Sequence, residues 1–203
     1  MFIVFEGIDG CGKTSQVLLV AQELQKIVSK RTYCTKEPSD GPIGRFIRDM
    51  LKINNEIVNN NTSMCLLFAA DRADHLKREV IPALMDENIV LCDRYYMSSF
   101  AYQTHDCKLS SEYIYSINDC MLQPNMTIII DIDVETAIRR LSKRQSVDYT
   151  ENKSFLTHAR RQYTAMYYGG NIPNMVLVDG SLPVSEVAKI IVNAIVAKCN
   201  LTV

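Results

Sequence analysis

Residues 7–14 read Gly-Ile-Asp-Gly-Cys-Gly-Lys-Thr, which is a complete G-x-x-x-x-G-K-[ST] phosphate-binding loop. The loop follows an apolar run at 1–5 and precedes an amphipathic stretch that continues to residue 28. Glycines let the backbone wrap a phosphate group with inward-pointing N–H groups, and the positive end of the next helix adds favourable charge. The order of strand, loop and helix therefore predicts a nucleotide-binding protein. Its phosphate-binding residues would be Gly7, Ile8, Asp9, Gly10, Cys11, Gly12, Lys13 and Thr14.

The last two loop residues have distinct expected roles. The Lys13 ammonium would reach the β and γ phosphate oxygens of the nucleotide, and the Thr14 hydroxyl would be offered to Mg²⁺. Mg²⁺ needs few protein ligands here, because phosphates and waters supply most of them.

Apolar runs and amphipathic segments alternate along the rest of the chain. The apolar runs lie at 2–5, 32–35, 89–92, 127–132 and 175–178. Helical periodicity is present at about 13–29, 43–53, 62–86, 97–121, 134–145, 152–168 and 184–198. This alternation predicts an α/β P-loop NTPase fold, with a five-stranded parallel sheet covered by helices on both faces. We predict that residues 1–203 form a single domain with a short lid at about 142–152.

Composition excludes several classes of protein. A net charge of −1 over 203 residues provides no basic field of the kind that non-specific nucleic-acid binding requires. No apolar run approaches the ~20 residues needed to cross a bilayer, and the first strand leaves no room for a signal peptide. The seven cysteines show no C-x-x-C or zinc spacing, which indicates reduced thiols and a cytoplasmic protein. The three histidines show no ligand spacing either and are predicted to be at the surface or partly packed: His75, His105 and His158.

Charged residues follow the predicted strands, where ligands bind in such sheets. Asp93 ends the third apolar run and could hold Mg²⁺ directly or through water, and Arg94 beside it could donate two hydrogen bonds to a phosphate. The alternative for this pair is a structural salt bridge at the sheet edge. After the fourth strand, the basic and then polar stretch at 139–152 could close over bound phosphates as a lid.

Two helical segments carry residues suited to a nucleobase. Phe68 and Arg72 lie four residues apart and would share one helix face, the ring stacking on a base and the guanidinium donating to its edge. Taken alone, Phe68 would be a core residue. Hydroxyl and amide groups for a base and sugar could come from Ser99, Tyr102 and Gln103, which could equally be an ordinary polar helix face.

With these motifs in this order, nearly the whole chain resembles the thymidylate kinases. The resemblance is carried by GIDGCGKT at 7–14, KEP at 36–38, FAADR at 68–72, DRYYMSSFAYQ at 93–103 and the basic lid stretch. It implies transfer of the γ-phosphoryl group of ATP to thymidine monophosphate (dTMP), giving ADP and the diphosphate. It also implies Mg²⁺ as cofactor, a five-stranded parallel core and a homodimer.

The resemblance assigns the acceptor side of the site residue by residue. Asp9 would approach the sugar and phosphate of dTMP, Glu37 would contact the sugar, and Arg48 would contact the phosphate. Asp93 would belong to the magnesium shell, and Arg94 would bridge the donor and acceptor phosphates.

The same resemblance assigns the base-binding side. Phe68 would stack on thymine, Arg72 would bind its O4, and Ser99 with Gln103 would bind the remaining polar edge. Tyr102 would pack where a 2′-hydroxyl group would project and so favour deoxyribose.

The phosphate loop lacks an arginine that some members of the family carry there, since Gly10 and Cys11 occupy those positions. The missing charge is expected from the lid, with Arg140 and Arg144 as the candidates. Bacterial-type lids commonly place an arginine where this chain has Tyr149, so Arg144, helped by Lys143, is predicted to carry more of the transition-state charge.

Cys11 is the one loop residue with chemistry of its own. It lies beside a helix N-terminus, which lowers the pKa of a thiol. The preferred interpretation is nevertheless a small residue tolerated at a variable loop position.

Two other functions compete. A kinase for another deoxynucleoside or deoxynucleoside monophosphate would share the loop, but Arg48 together with Arg94 suits an acceptor phosphate better than a free 5′-hydroxyl. A P-loop nucleotide switch would have no use for a set of base-binding residues. The sequence therefore favours the thymidylate kinase activity over both.

Overall fold

The computed structural model describes residues 1–52, 61–104, 109–143, 152–170 and 172–199. Its strands are β1 (Phe2–Glu6), β2 (Thr32–Lys36), β3 (Ile89–Asp93), β4 (Met126–Asp131) and β5 (Met175–Asp179). Its helices are α1 (Lys13–Ile27), α2 (Pro42–Lys52), α3 (Asn61–His75), α4 (Ile81–Met85), α5 (Tyr96–Gln103), α6 (Ser111–Asn118), α7 (Val134–Leu141), α8 (Lys153–Tyr168) and α9 (Val184–Cys199).

The five strands form one parallel sheet in the order β2-β3-β1-β4-β5. Phe2 lies opposite Val90 of β3, and Ile3 lies opposite Met126 of β4. Every residue of β1 and β3 is buried, because each strand has a neighbour on both sides and helices on both faces, whereas the edge strand β2 is largely exposed. The fold class and all five predicted strands are confirmed, with strand ends shifted by one residue at most.

The carboxyl ends of the three adjacent strands β2, β3 and β1 bring the predicted motifs together. Glu6 leads from β1 into the phosphate loop, Asp93 ends β3, and Lys36 ends β2 opposite Asp93. Parallel strands end at the same sheet edge, so segments distant in sequence become one site.

The predicted helix at 62–86 is continuous but not uniform. α3 runs into a π-helical turn at Leu76–Val80 and then into α4. Pro82 lies at the start of α4, and its missing amide proton interrupts the regular hydrogen-bond ladder at that point.

The predicted single helix at 97–121 is wrong, because the structure has α5 and α6 there. The Thr104 hydroxyl donates to the Phe100 carbonyl at the end of α5, and the Ser110 side chain accepts from the Tyr113 amide to start a new helix. The stretch at 105–108, with His105, lies outside the described residues.

Helix α7 ends at Leu141, so the predicted helix at 134–145 is shorter than expected over its described part. Most of the predicted lid, including Arg144 and Tyr149, lies outside the described residues. Within the described part of the chain, no helix combines the length and the apolar character needed to span a bilayer.

Candidate active site

The phosphate loop is shaped by glycines in the left-handed region of backbone space. Gly7, Gly10 and Gly12 have φ values of 139°, 83° and 101°. A Cβ atom on Gly7 would come within 2.5 Å of the Ile130 carbonyl oxygen of β4, so the loop also needs glycine for close packing against the sheet. The loop is thus fixed between β1 and β4 in front of α1.

The Lys13 ammonium is buried under this loop. It donates to the carbonyl oxygens of Gly7 and Ile8, each at 3.0 Å, and lies 3.7 Å from the Cys11 sulfur. One full positive charge is therefore held inside the loop that would receive a phosphate.

Thr14 and Asp93 form a pair at the junction of α1 and β3. The Thr14 hydroxyl donates to Asp93 Oδ2 at 2.5 Å, while the buried Asp93 Oδ1 has no hydrogen-bond partner. A hydroxyl and a carboxylate with a free buried oxygen are ligands that Mg²⁺ prefers, so these residues fit the predicted metal. Among the described residues there is no cluster of three or more acidic, Cys or His side chains that could hold a metal by itself. Phosphate and water oxygens would therefore complete the shell.

Arg94 connects the end of β3 to the phosphate loop. Its guanidinium pairs with Asp9 through Nη2, donates to the Ser98 hydroxyl at 3.0 Å and lies 5.0 Å above the ring of Tyr102. The Tyr102 hydroxyl donates to Asp9 Oδ2 at 3.0 Å. Arg94 has a φ of 71°, and its amide donates to the Phe5 carbonyl at 2.9 Å, so the turn after β3 aims this side chain at the loop.

The pairing fixes the charge of Asp9. Burial alone would raise the pKa of the Asp9 carboxyl, but the positive charges of Arg94 and Lys13 and the hydrogen bonds from Arg94 and Tyr102 lower it to about 2. Asp9 is an anion at neutral pH. It orients Arg94 and cannot serve as a proton donor there.

These residues line a cavity of about 220 Å³ between the phosphate loop and the ends of β2 and β3. Arg48 reaches it from α2, held by the carbonyl oxygens of Pro38 and Ser39 at 2.7 and 2.8 Å. Of the predicted site residues, the structure thereby brings together on this cavity Asp9, Gly10, Gly12, Lys13, Thr14, Glu37, Arg48, Asp93 and Arg94. The cationic side chains on its wall are those of Lys13, Lys36, Arg48 and Arg94.

A buried polar cluster lies behind Glu37. Arg72 is 1% exposed, donates from Nε to Glu37 Oε2 at 2.9 Å and from Nη1 to Asn118 at 2.5 Å, and lies 5.3 Å above the Tyr95 ring. The amide of Glu37 donates to the Asp93 carbonyl at 2.9 Å. Arg72 therefore forms a buried ion pair with Glu37, and it is also a candidate for base binding.

His75 belongs to the same cluster, and its predicted surface or partly packed position is wrong. Its side chain is fully buried, because it ends α3 directly beneath the segment that follows β2. His75 Nδ1 lies 3.3 Å from Glu37 Oε1. No ligand-like spacing marks His75 in the sequence; the only available signal was its position three residues after Arg72 on the same helix.

The base-binding candidates lie on α3 and α5. Phe68 is half-buried, while Ser99, Tyr102 and Gln103 are buried. The Gln103 Oε1 atom is buried without a hydrogen-bond partner, which is costly unless a ligand satisfies it. Their roles toward thymine stay predictions.

Glu6 is a site residue that the motif analysis did not identify. Its carboxylate accepts from the amides of Tyr95 and Ser98 at 2.9 and 3.2 Å and thus caps α5 from another element. It also accepts from the hydroxyls of Ser98 and Tyr163, each within 2.8 Å. Burial raises the pKa of Glu6, against the lowering effect of Arg94 and these hydrogen bonds. Glu6 therefore positions the helix that carries the base-binding candidates.

Arg140 is turned toward the backbone of the phosphate loop. Its guanidinium lies 3.4 Å from the carbonyl oxygens of Gly10 and Cys11 and 3.2 Å from that of Gly180. In this position Arg140 stabilises the loop through two of its carbonyl oxygens. Its direct action on phosphates stays a prediction. Arg144 lies outside the described residues.

Of the two interpretations of Cys11, the structure favours the small packed residue over the reactive thiol. The thiol is 3% exposed, and burial raises its pKa despite the charges of Lys13 and Arg94. Because the cost of burying a thiolate outweighs these positive charges, Cys11 is a packing residue of the loop.

Comparison with known proteins gives a consistent result. The sequence model of the family described as Thymidylate kinase matches residues 5–191. A protein of Pyrobaculum calidifontis named probable thymidylate kinase is 38% identical over 192 residues, covering 95% of this chain and 94% of the relative. A thymidylate kinase of Aster yellows witches'-broom phytoplasma is 35% identical over 198 residues, covering 94% of each chain. A probable thymidylate kinase of Methanocaldococcus jannaschii is 39% identical over 163 residues, covering 80% of this chain and 79% of the relative.

Proposed function

This chain belongs to the thymidylate kinase family, and on that premise we propose that it transfers the γ-phosphoryl group of ATP to dTMP, giving dTDP and ADP. The observation that best supports this activity is that Lys13, Arg48 and Arg94 line one cavity beside the phosphate loop. These three cations come from α1, α2 and the turn after β3, and together they suit a site that must hold two phosphorylated molecules at once.

Charge neutralisation is the main task of such a site. Two polyanions must be held in line at about 3 to 3.5 Å, which requires their repulsion to be cancelled. Lys13 neutralises the donor phosphates from within the loop, and Arg48 neutralises the acceptor phosphate from the α2 side. Arg94 stands between them, because Asp9 of the donor loop holds it at the end of β3.

Thr14 and the free oxygen of Asp93 would hold Mg²⁺, which supplies positive charge to the β and γ phosphates when bound. The Thr14–Asp93 hydrogen bond fixes both oxygens at the mouth of the phosphate loop. Fluorescent nucleotide binding, with and without Mg²⁺, tests this assignment: Asp93→Asn should remove most of the Mg²⁺-dependent gain in affinity.

The acceptor base would lie between α3 and α5. Phe68 is half-buried and can offer a ring face, and the buried Ser99 and Gln103 offer a hydroxyl and an amide. As the family resemblance implies, Tyr102 would pack where a 2′-hydroxyl group would project. Since Arg72 uses Nε and Nη1 for Glu37 and Asn118, its contact with the base falls to Nη2.

The experiment that tests the proposal is ADP release with ATP and Mg²⁺ across a panel of acceptors. The panel contains the monophosphates of thymidine, deoxyuridine, deoxycytidine and deoxyguanosine, and free thymidine. Fast turnover with dTMP and little with thymidine is expected, because Arg48 and Arg94 require an acceptor phosphate. Turnover with thymidine alone would favour a nucleoside kinase, and slow ATP hydrolysis unaffected by every acceptor would favour a nucleotide switch.

We also propose a homodimer, as the family resemblance implies. Phe46 on α2 and Leu66 on α3 are 52% and 46% exposed, and the two helices pack against each other. A second copy that covered these two side chains would remove their apolar surface from water. Sedimentation should give a dimer for the unmodified chain and a monomer for Leu66→Glu; a monomer in both cases would contradict the proposal.

The remaining assignments are proposals of the same kind. The reduced state of Cys11, Cys34, Cys65, Cys92 and Cys120, which are all free thiols, supports a cytoplasmic location. Residues 1–203 are proposed to be one domain whose lid at about 142–152 closes over the phosphates.

A further inference from the structure

Glu37 lies at the wall of the cavity, yet its side chain is only 3% exposed. Its backbone amide donates a hydrogen bond to the Asp93 carbonyl oxygen at the end of β3, so the position of its Cα is set by the sheet. What remains free is the rotation of the carboxylate group. Arg72 fixes one oxygen, Oε2, and a single donor leaves the plane of the carboxylate undetermined.

His75 supplies the second donor, because a carboxylate oxygen can only accept and the ring proton is therefore assigned to Nδ1, 3.3 Å from Oε1. Its Nδ1 faces Oε1, the oxygen that Arg72 does not use. Its Nε2 lies 2.7 Å from the Thr35 hydroxyl and 3.7 Å from Glu79 Oε2. The ring is therefore held at both nitrogens, on one side by β2 and the π-helical turn and on the other by Glu37. Because the buried ring is held at both nitrogens, the direction of its hydrogen bond is fixed, and with it the orientation of the Glu37 carboxylate.

The acceptor offers one partner for that carboxylate. The 5′-oxygen of dTMP carries the phosphate and the 2′-position has no hydroxyl, so the 3′-hydroxyl is the one sugar donor. We propose that His75 is a positioning residue, which orients the Glu37 carboxylate so that it accepts a hydrogen bond from the 3′-hydroxyl of the acceptor. This inference rests on the proposed function, because it requires dTMP in the cavity. His75 itself does not touch the substrate.

The test compares dTMP with the monophosphate of 3′-deoxythymidine, which lacks that hydroxyl. The measured quantity is the ratio of kcat/KM for the two acceptors. The unmodified chain should prefer dTMP by about 10- to 100-fold, since a hydrogen bond to a charged group is at stake. In His75→Met, which keeps the volume but has no donor, the preference should fall to about 3-fold or less.

His75→Asn is the matched variant. The amide nitrogen of asparagine lies close to the place of Nδ1 and can donate to Glu37, so Asn should restore most of the preference. His75→Gln places its amide nitrogen nearer to Nε2 and should not restore it. A packing role would give the opposite order or no order, because Gln is the closer match in volume.

Thr35→Val provides a route that leaves His75 in place. It removes the hydroxyl that holds Nε2 and should lower the preference by a smaller factor than His75→Met does. This variant decides the question if His75→Met does not fold.

Several outcomes would overturn the inference. One is an equal loss of kcat/KM for both acceptors in His75→Met, which would indicate a purely structural residue. Another is an unmodified chain that phosphorylates dTMP but does not distinguish the two acceptors, which would exclude the contact of Glu37 with the 3′-hydroxyl. Failure of the proposed function looks different, because the unmodified chain would then not turn over dTMP at all.

Discussion

At the scale of single residues, the arrangement of Arg94 is the most informative. A guanidinium that pairs with Asp9, donates to Ser98 and lies over Tyr102 is held in one orientation without any ligand contact. Such preorganisation is what makes a positive charge effective in a transition state, because no reorientation is needed when charge develops.

We predict that Arg94→Lys lowers kcat by about 100- to 1000-fold with a smaller change in KM. Lysine keeps the charge but presents a single point, and it cannot hold Asp9 and two phosphates at once. Steady-state kinetics with ATP and dTMP measure the effect. Arg161→Lys on the exposed face of α8 is the control and should behave like the unmodified chain. A kcat within 5-fold of normal in Arg94→Lys would refute the role (about 1 kcal/mol in the barrier).

A second residue-scale prediction concerns Gln103. Its buried, unpartnered oxygen costs stability in the empty protein, by about 1 to 3 kcal/mol for a group of this kind. Gln103→Leu should therefore raise the free energy of unfolding while it lowers kcat/KM for dTMP. Denaturant unfolding and acceptor kinetics on the same preparation measure both.

Gln22→Leu, on the exposed side of α1, is the matched control and should change neither quantity by much. If Gln103→Leu destabilised the protein and left dTMP kinetics intact, the side chain would be a structural group and not a ligand for the base.

At the scale of elements, the phosphate loop depends on α7 as well as on α1. A Cβ atom on Gly10 would lie 2.7 Å from the Ala137 carbonyl oxygen and 3.1 Å from its Cα. Arg140 of the same helix reaches the carbonyl oxygens of Gly10 and Cys11. Because the helix that leads toward the lid touches the loop directly, displacement of α7 would also displace the loop.

Gly10→Ala and Gly12→Ala separate packing from backbone strain. Both glycines have positive φ, so each alanine costs about 1 to 3 kcal/mol of strain. Only Gly10→Ala adds a collision with backbone, since a Cβ on Gly12 meets nothing within 4 Å. We expect Gly10→Ala to lose more unfolding free energy and more ATP affinity than Gly12→Ala. Urea unfolding and nucleotide titration measure these losses. Equal losses in the two variants would mean that α7 moves aside without cost and that its contact with Gly10 does not stabilise the loop.

The elements also show what sequence reasoning could and could not reach. The strands, the phosphate loop and the Asp93–Arg94 pair were predictable, because continuous apolar runs and parallel strand ends place them at one edge. The cluster of Arg72, His75 and Asn118 was not, since it arises from the packing of α3 against α6 and the loop after β2. Local spacing records which residues share a helix face but not which element that face meets.

At the scale of the whole molecule, Glu6 joins parts of the chain that are far apart. The hydrogen bonds to Ser98 and Tyr163 connect β1 with α5 and α8, across 92 and 157 residues of sequence. Ser98 also receives a hydrogen bond from Arg94, so the helix that follows the lid is connected with the central arginine of the site.

This connection should be visible as pH-dependent stability. Burial raises the pKa of Glu6 above its ordinary value of 4.5, so the folded state binds the proton more tightly than the unfolded state. The Glu6 contribution to the free energy of unfolding is therefore most favourable below pH 4.5 and declines as pH rises through the folded pKa.

Glu6→Gln has no such decline, because the amide carries no charge at any pH. The unfolding free energy of Glu6→Gln relative to the unmodified chain should thus increase as the pH rises above 4.5, and urea unfolding across a pH series measures it. Glu23→Gln at the surface of α1 is the control and should run parallel to the unmodified chain. A difference for Glu6→Gln that did not vary with pH would show that its carboxylate is no more costly inside the protein than outside.

The central place of β1 has a consequence for biosynthesis. Its two neighbours in the sheet, β3 and β4, begin at Ile89 and Met126. The first strand to be synthesised therefore has no pairing partner until much later in translation. At about 5 to 20 residues per second, roughly 4 to 18 s separate the synthesis of Phe2 from that of its partner Val90. During that interval an apolar strand and an unformed phosphate loop are exposed on the nascent chain. The phosphate loop of a newly made chain can therefore take its final form only after β3 and then β4, against which Gly7 packs, have been synthesised.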